Sequence, residues 1–278
     1  MARKIALVMH RGSHDVAESA RYARVSLEKA GFLVDVSESD QAAQGAELIL
    51  VIGGDGTVLR AAEMSRPWEV PILGINYGHV GFLSEADPED LQGVIERIVA
   101  HDWSFEKRMT IDIEVHYPDG TQVKNWALNE ASIEKDEDVR LFEAAIGVDD
   151  REISTFKVDN VLFSTATGST AYNFSAGGPI VWPNVEALLL TPIAAHALFT
   201  KPLVVGPDST LELHVYDGNA RIWCDGRREV KTPAGSTVTA IKGKHPIYLA
   251  RLNSQPFSQR LITKFQLPVT GWRHDRLS

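Results

Sequence analysis

The chain has 278 residues, 44% of them hydrophobic and 23% charged, which suits a folded globular protein with one large domain or two ordinary ones. A formal net charge of -9 argues against a nucleic-acid partner, which needs a basic surface. Cys224 is the single cysteine, so no intrachain disulfide can form, and a cytoplasmic protein is expected. No apolar run is long enough to span a bilayer, and the first residues lack a cleavage pattern, so neither a membrane anchor nor a signal peptide is expected.

In chain order, Ile5 to Val8 is a short apolar run that predicts a buried parallel strand. From about Asp15 to Ala30, Val16, Ala20, Ala23, Leu27 and Ala30 recur every three or four residues and predict a helix that Gly31 ends. Phe32 to Val36 predicts a second strand and Leu48 to Ile52 a third. A helix is then expected from Thr57, and Pro71 to Asn76 predicts a fourth strand. Another helix, opened by Pro88, Glu89 and Asp90, presents Leu91, Val94, Ile95 and Ile98 on one face. Strands alternating with helices predict a doubly wound, mainly parallel α/β layer.

Past residue 107 the period changes. Thr110 to Tyr117 alternates strictly, with Ile111, Ile113, Val115 and Tyr117 on one side, and a Pro118-Asp119-Gly120 turn follows. Similar pieces recur at Leu211 to Val215, Arg221 to Cys224 and Val238 to Ile241. The expected fold is therefore an N-terminal Rossmann-like α/β domain, residues 1–106, and a C-terminal mainly antiparallel β domain, residues 107–255. The tail 256–278 is expected to pack back on the first.

The chemistry concentrates where the third strand runs into Gly53-Gly54-Asp55-Gly56-Thr57. Glycines let backbone N–H groups approach an anion, and a helix N-terminus adds partial positive charge. A carboxylate in such a loop repels its ligand unless it has a task. Asp55 could take a proton from an attacking hydroxyl, help hold Mg²⁺ against phosphates, or simply cap the helix. The spacing is neither that of a P-loop nor G-x-G-x-x-G. A second glycine-bearing loop, Asn76 to Leu83, could line the same crevice with Phe82 as an apolar or stacking wall, or be a plain loop over a buried ring.

In the second half, Asn129 and Glu130 stand side by side after an apolar strand. They could bind ribose hydroxyls or a carboxamide, or merely mark a strand-to-loop transition. Residues 159–179 carry an apolar strand into hydroxyls, small residues and glycines, a lining suited to a polyhydroxylated phosphate ligand. Tyr172 there could stack on a base or fill core. There is no G-x-S-x-G elbow for a serine hydrolase, and nine scattered His with one Cys argue against a zinc site.

GGDGT resembles the superfamily of NAD kinases, diacylglycerol-type lipid kinases and phosphofructokinases. GINxGxxGFL at 74–83, LNE at 128–130 and TGSTAY…SAGGPI at 167–180, in that order, resemble the NAD kinases specifically, and the tail Lys264-Phe265-Gln266-Leu267-Pro268-Val269 resembles a bacterial branch. A lipid kinase, with an apolar acceptor pocket, and a non-catalytic dinucleotide-binding regulator are the rivals. The resemblance implies that Asp55 accepts the proton of the 2′-hydroxyl on the adenosine ribose of NAD, which then attacks the γ-phosphate of ATP. Inorganic polyphosphate replaces ATP in some relatives. Gly53, Gly54, Gly56 and Thr57 would form the phosphate-donor loop. Asp55, Gly56, Arg60, Phe82, Asn129, Glu130, Lys157, Asp159, Thr170, Ala171, Tyr172, Asn173, Phe174, Ser175 and Ala194 would contact NAD. Mg²⁺ or another divalent cation would ride on the nucleotide, with no protein ligand identified. A homodimer or homotetramer is implied, with Asp159 reaching across the interface. Two positions depart from the family pattern. Asn160 stands where glycine is usual, in a turn that Asn can follow at positive φ, and Ala166 replaces a usual proline.

Overall fold

The computed structural model describes residues 3–77, 81–86, 90–137, 139–195, 200–252 and 256–268. Its contacts divide the chain into two compact units, Met1–Lys107 with Ile247–Ser278, and Arg108–Pro246. The first half of the first unit runs β1 (Lys4–Met9), α1 (His14–Lys29), β2 (Leu33–Asp35), β3 (Leu48–Ile52), α2 (Asp55–Ser65), β4 (Ile72–Ile75), α3 (Leu91–Val99) and β5 (Ser104–Arg108). The second unit contributes β6 (Ile111–His116), β7 (Gln122–Ala127), β8 (Glu130–Lys135), β9 (Phe142–Val148), β10 (Arg151–Val158) and β11 (Asn160–Thr165). A 3-10 turn (Gly168–Thr170) leads to α4 (Tyr172–Ser175). Then come β12 (Leu188–Ile193), β13 (Leu203–Val205), β14 (Leu211–Asp217), β15 (Ala220–Cys224), β16 (Arg228–Thr232) and β17 (Thr237–Lys242). The chain returns to the first unit with β18 (Ile247–Arg251) and α5 (Phe257–Phe265).

The first unit is one six-stranded sheet in the order β2-β1-β3-β4-β18-β5, parallel from β2 through β18. All of β3 and β4 is buried, as continuous apolar runs in a two-sided sheet must be. The order reverses between β1 and β3, and the crevice beyond the carboxyl ends of such a pair is where ligands of open α/β sheets bind. Residues 53–57 lie there. The second domain was expected to reach residue 255, but β18 pairs in parallel with β4 through Leu249 and Ile72, so the return comes at 247. Ile247, Leu249 and Ala250 are all buried there, and β18 lies between β4 and β5, so both of its backbone edges are paired.

The second unit stacks two antiparallel six-stranded sheets, β10-β9-β14-β17-β6-β7 and β13-β12-β11-β8-β15-β16. Their shared core takes alternate residues from both, among them Ile111, Ile113 and Val115 against Ile133, Phe163 and Ile222. That alternation leaves Glu130, Ser132 and Glu134 of β8, with Asn160 and Ser164 of β11, on the opposite face of the second of these sheets.

Candidate functional site

In the first unit, α2 begins at Asp55, two residues before the position expected from the sequence, with Gly54 as N-cap and no side-chain cap. Asp55 therefore does not cap the helix. Its carboxylate instead accepts hydrogen bonds from the backbone N–H of Phe82 (2.9 Å, Oδ2) and of Leu83 (3.2 Å, Oδ1). Gly81 makes this possible, because a Cβ there would lie 2.1 Å from Asp55 Oδ1. Each carboxylate oxygen still has a lone pair for another donor. Gly53 is also a steric necessity, since a Cβ would sit 2.5 Å from Thr57 Oγ1. By contrast, added Cβ atoms at Gly54 and Gly56 would meet nothing within 4 Å, so the loop faces open space there. Thr57 and Val58 N–H donate to the Gly54 carbonyl (2.9 and 3.2 Å), so the N–H groups of Asp55 and Gly56 are the ones left without a helical acceptor, an arrangement that suits an anion.

Two residues expected to touch ligand are occupied otherwise. Arg60 donates to the Met9 carbonyl (2.5 Å) and to Glu38 (3.1 Å), a carboxylate that also pairs with Arg11. The Phe82 ring is only 7% exposed and packs on Phe257 and Phe265 at centroid distances of 5.6 and 5.9 Å, so it is not a stacking wall; its N–H is the useful part. Residues 78–80 of the same loop, 87–89 before α3 and Val269 of the tail motif lie outside the described residues.

In the second unit the turn at 128–130 is held by a residue the sequence reading missed. Asp225 accepts from the N–H of Leu128 (2.9 and 3.0 Å) and of Asn129 (2.7 Å), and pairs with Arg228 at 2.7 Å. Asp225 and Gly226 both have positive φ (53° and 62°) in the tight turn between β15 and β16. The Asp-Gly dipeptide after an apolar strand was a readable turn signal, but its partner lies about 97 residues away. Across the turn, Thr165 N–H donates to the Asn129 carbonyl (2.9 Å), and a Cβ at Gly168 would lie 2.0 Å from that oxygen. The 167–170 block thus packs on the Asn129 backbone, which only glycine allows.

Glu130 is buried, and one of its oxygens has no hydrogen-bond partner. Burial, then the neighbouring Asp225 carboxylate, push its carboxyl up to about 8, against the pull of the Tyr172 N–H. Burial also raises the Asp225 carboxyl, opposed by the Leu128 N–H and by Arg228. Asn160 Oδ1 and Ser164 Oγ, on the same sheet face as Glu130, are likewise buried without a partner. Such atoms are rare in native interiors, and these three share one face, where water or a polar ligand could satisfy them. Asn160 donates to Ser132 Oγ (2.7 Å) and to the Tyr172 hydroxyl (3.4 Å). It opens strand β11 instead of a positive-φ turn, so the expected need for turn tolerance does not arise.

The remaining expected residues fall into three groups. Tyr172 and Phe174 are each 41% exposed, Thr170 and Ala171 are half-buried, and Ser175 and Ala194 are exposed. Ala194 has φ 53°, an uncommon conformation for a residue with a Cβ and one that clusters at functional sites. Asn173 is fully buried. Its amide donates to the Pro179 (3.2 Å) and Ser169 (3.5 Å) carbonyls, and its oxygen accepts from Thr191 (2.7 Å), so it ties the segment together from inside. Lys157 lies exposed on β10, 3.9 Å from Glu143, and Asp159 pairs with Lys135 at 2.8 Å. Burial pushes the Cys224 thiol up to about 12, which makes it no nucleophile. Among the described residues no three His, Cys, Asp or Glu side chains converge as a metal cage, and no helix is long and apolar enough to cross a membrane.

Two family models divide the chain between them: the ATP-NAD kinase N-terminal domain over residues 12–103 and the ATP-NAD kinase C-terminal domain over residues 128–252. The chain is thus a phosphotransferase of two joined parts, a glycine-loop α/β unit and a β unit. Among its relatives, an NAD kinase of Thermobifida fusca is 46% identical over 98% of this chain and 91% of its own length. NAD kinase 2 of Streptomyces coelicolor is 45% identical over 98% and 97%. A solved NAD kinase from Archaeoglobus fulgidus in complex with ATP superposes with a TM-score of 0.77 at 26% identity, covering 95% of this chain and 98% of its own. Yeast NADH kinase complexed with NADH shares the fold, with a TM-score of 0.89 at 19% identity over 100% of this chain and 90% of its own. The chain belongs to the NAD kinase family.

Proposed function

We propose that this protein transfers the γ-phosphate of ATP to the 2′-hydroxyl of the adenosine ribose of NAD, giving NADP and ADP. The observation that carries the mechanism is the Asp55 carboxylate, held by two backbone N–H groups at the mouth of a helix N-terminus. Asp55 accepts the proton of the attacking hydroxyl. The loop at 53–57 and the first turn of α2 hold the transferring phosphate, with Gly54 and Gly56 leaving room for it. Phosphoryl transfer passes through a loose transition state, so positioning and charge neutralisation matter more than the strength of the base.

A divalent cation, when bound, neutralises phosphate charge. In this reading the ATP phosphates supply most of its ligands. On the acceptor side, Asn129, the partnerless oxygen of Glu130, Tyr172 and Ala194 support binding of the dinucleotide, with Thr170, Ala171 and Ser175 beside them. Lys157 and Asp159 belong to the same reading, as does a cytoplasmic homo-oligomer, which light scattering of the purified protein would size. Polyphosphate is an alternative donor to be tried in parallel with ATP.

The test compares NADP formation from NAD, ATP and Mg²⁺ by the parent and by Asp55→Asn. The variant should lose about 10²- to 10⁴-fold in kcat while retaining NAD binding. Equal rates would remove Asp55 as the proton acceptor; absence of turnover by the parent with either donor would remove the kinase reading.

A further inference from the structure

Residues 81–86 carry the two N–H groups that aim Asp55, yet they contribute only one isolated bridge, Ile75 to Ala86, to any sheet. On the inner side the segment hangs on β4. Glu85 N–H donates to the Gly74 carbonyl (2.7 Å), and Asn76 N–H donates to the Ala86 carbonyl (2.8 Å). Its outer side is held from the other end of the sequence. Phe257 and Phe265, two turns apart on one face of α5, both touch the Phe82 ring. Arg260, 7% exposed and on the same face, donates to the Ser84 carbonyl and pairs with Glu85 at 2.6 Å. Glu85, whose side chain is 1% exposed, also pairs with Arg251 of β18 at 3.0 Å. Arg251 reaches the Leu83 carbonyl at 3.5 Å as well. Four successive residues, 82 to 85, are therefore fixed from outside by α5 and the strand before it.

We infer that α5 is a clamp that positions the catalytic carboxylate: Arg260, Phe257 and Phe265 hold the 82–85 backbone so that its N–H groups fix Asp55. The inference rests on the reading of Asp55 as proton acceptor. These are positioning residues. None is placed against substrate, and each acts through the loop. A carboxylate held by one rigid helix end and one loop is only as well placed as the loop, and a displacement of about 1 Å costs on the order of 100-fold in rate.

The experiment uses the full chain with Arg260→Ala, Arg260→Lys and the milder Phe265→Leu, each alone and combined with Asp55→Asn. Single-turnover measurements at high enzyme concentration keep the slow variants measurable. Arg260→Ala should lower kcat about 10- to 100-fold and leave KM for NAD and for ATP within about threefold. Arg260→Lys should recover part of the loss. The amide hydrogens of Phe82 and Leu83 should exchange at least about tenfold faster in Arg260→Ala while those of β1 and β3 keep their rates. In the Asp55→Asn background, Arg260→Ala should cost less than about twofold, because the group it positions is gone. Phe265→Leu should follow the same pattern with a smaller loss. Undiminished kcat, multiplicative losses in the double variant, or exchange accelerated equally throughout the sheet would each overturn the clamp. Undiminished kcat in Asp55→Asn alone would instead overturn the role of Asp55.

Discussion

Replacing Glu130 by glutamine should stabilise the protein, and the gain should depend on pH in a defined way. The Glu130 carboxyl is raised from 4.5 to about 8 in the folded chain by burial and by Asp225. Below pH 4.5 it is protonated both folded and unfolded and contributes no pH dependence. Between 4.5 and about 8 the folded state keeps a proton that the unfolded state has released, so stability falls as pH rises, by about 1.4 kcal/mol per pH unit. Across the window this sums to about 5 kcal/mol, and above pH 8 the penalty stays constant. A neutral glutamine removes the Glu130 share of that slope. Urea unfolding of parent and Glu130→Gln, followed by tryptophan fluorescence at half-unit steps from pH 5 to 9, reads the difference. The curves should nearly meet at pH 5 and separate by several kcal/mol at pH 8. Glu130 and Asp225 titrate as a coupled pair, so the slope belongs to both, and Glu130→Gln should also ease ionisation of Asp225. Parallel curves over the whole range would refute the claim that a protonated carboxyl occupies this site at neutral pH. A protonated Glu130 is also a donor for a ligand oxygen, a role glutamine retains, so KM for NAD should change little in this variant and rise about tenfold in Glu130→Ala.

The glycines of the first loop should separate stability from activity. Gly53→Ala meets Thr57 Oγ1 at 2.5 Å and should cost about 1–3 kcal/mol in urea unfolding. Gly56→Ala meets no protein atom within 4 Å and should leave stability equal or slightly higher, while raising KM for ATP, because the new methyl enters the phosphate space. Asn173→Ala should cost about 1–3 kcal/mol, since it strands the buried Thr191 hydroxyl and Ser169 carbonyl and loses a part-buried bond to the Pro179 carbonyl. An Asn173→Ala protein of parental stability would show that its hydrogen bonds are replaceable by water.

Much of the site was legible in the residues themselves. Apolar runs of strand length, a change from period 3.6 to period 2 near residue 107, and glycines at the end of β3 report local geometry, and local geometry is what short stretches of sequence encode. They predicted the parallel layer, the β unit and the place of the loop. The carboxylate of Asp55 was legible as an anomaly, but not its partners, because Phe82 and Leu83 are 27 and 28 residues further on. The return of β18 to the first sheet escaped detection for a related reason: five apolar-rich residues look alike as a sandwich strand or as a parallel one, and only an open slot beside β4 decides between them. Asn173 read as a ligand contact because amides suit both roles, and only its full burial separates them. Asp225 holding the turn at 128–129, Arg260 meeting Glu85 across 175 residues, and the raised carboxyl of Glu130 are properties of the closed chain. The sequence by itself determined which chemistry the chain could carry, since residue type and spacing set local shape and charge. The tertiary structure alone decided which groups meet and how far water is excluded from them, because desolvation and long-range pairing exist only once distant segments have packed.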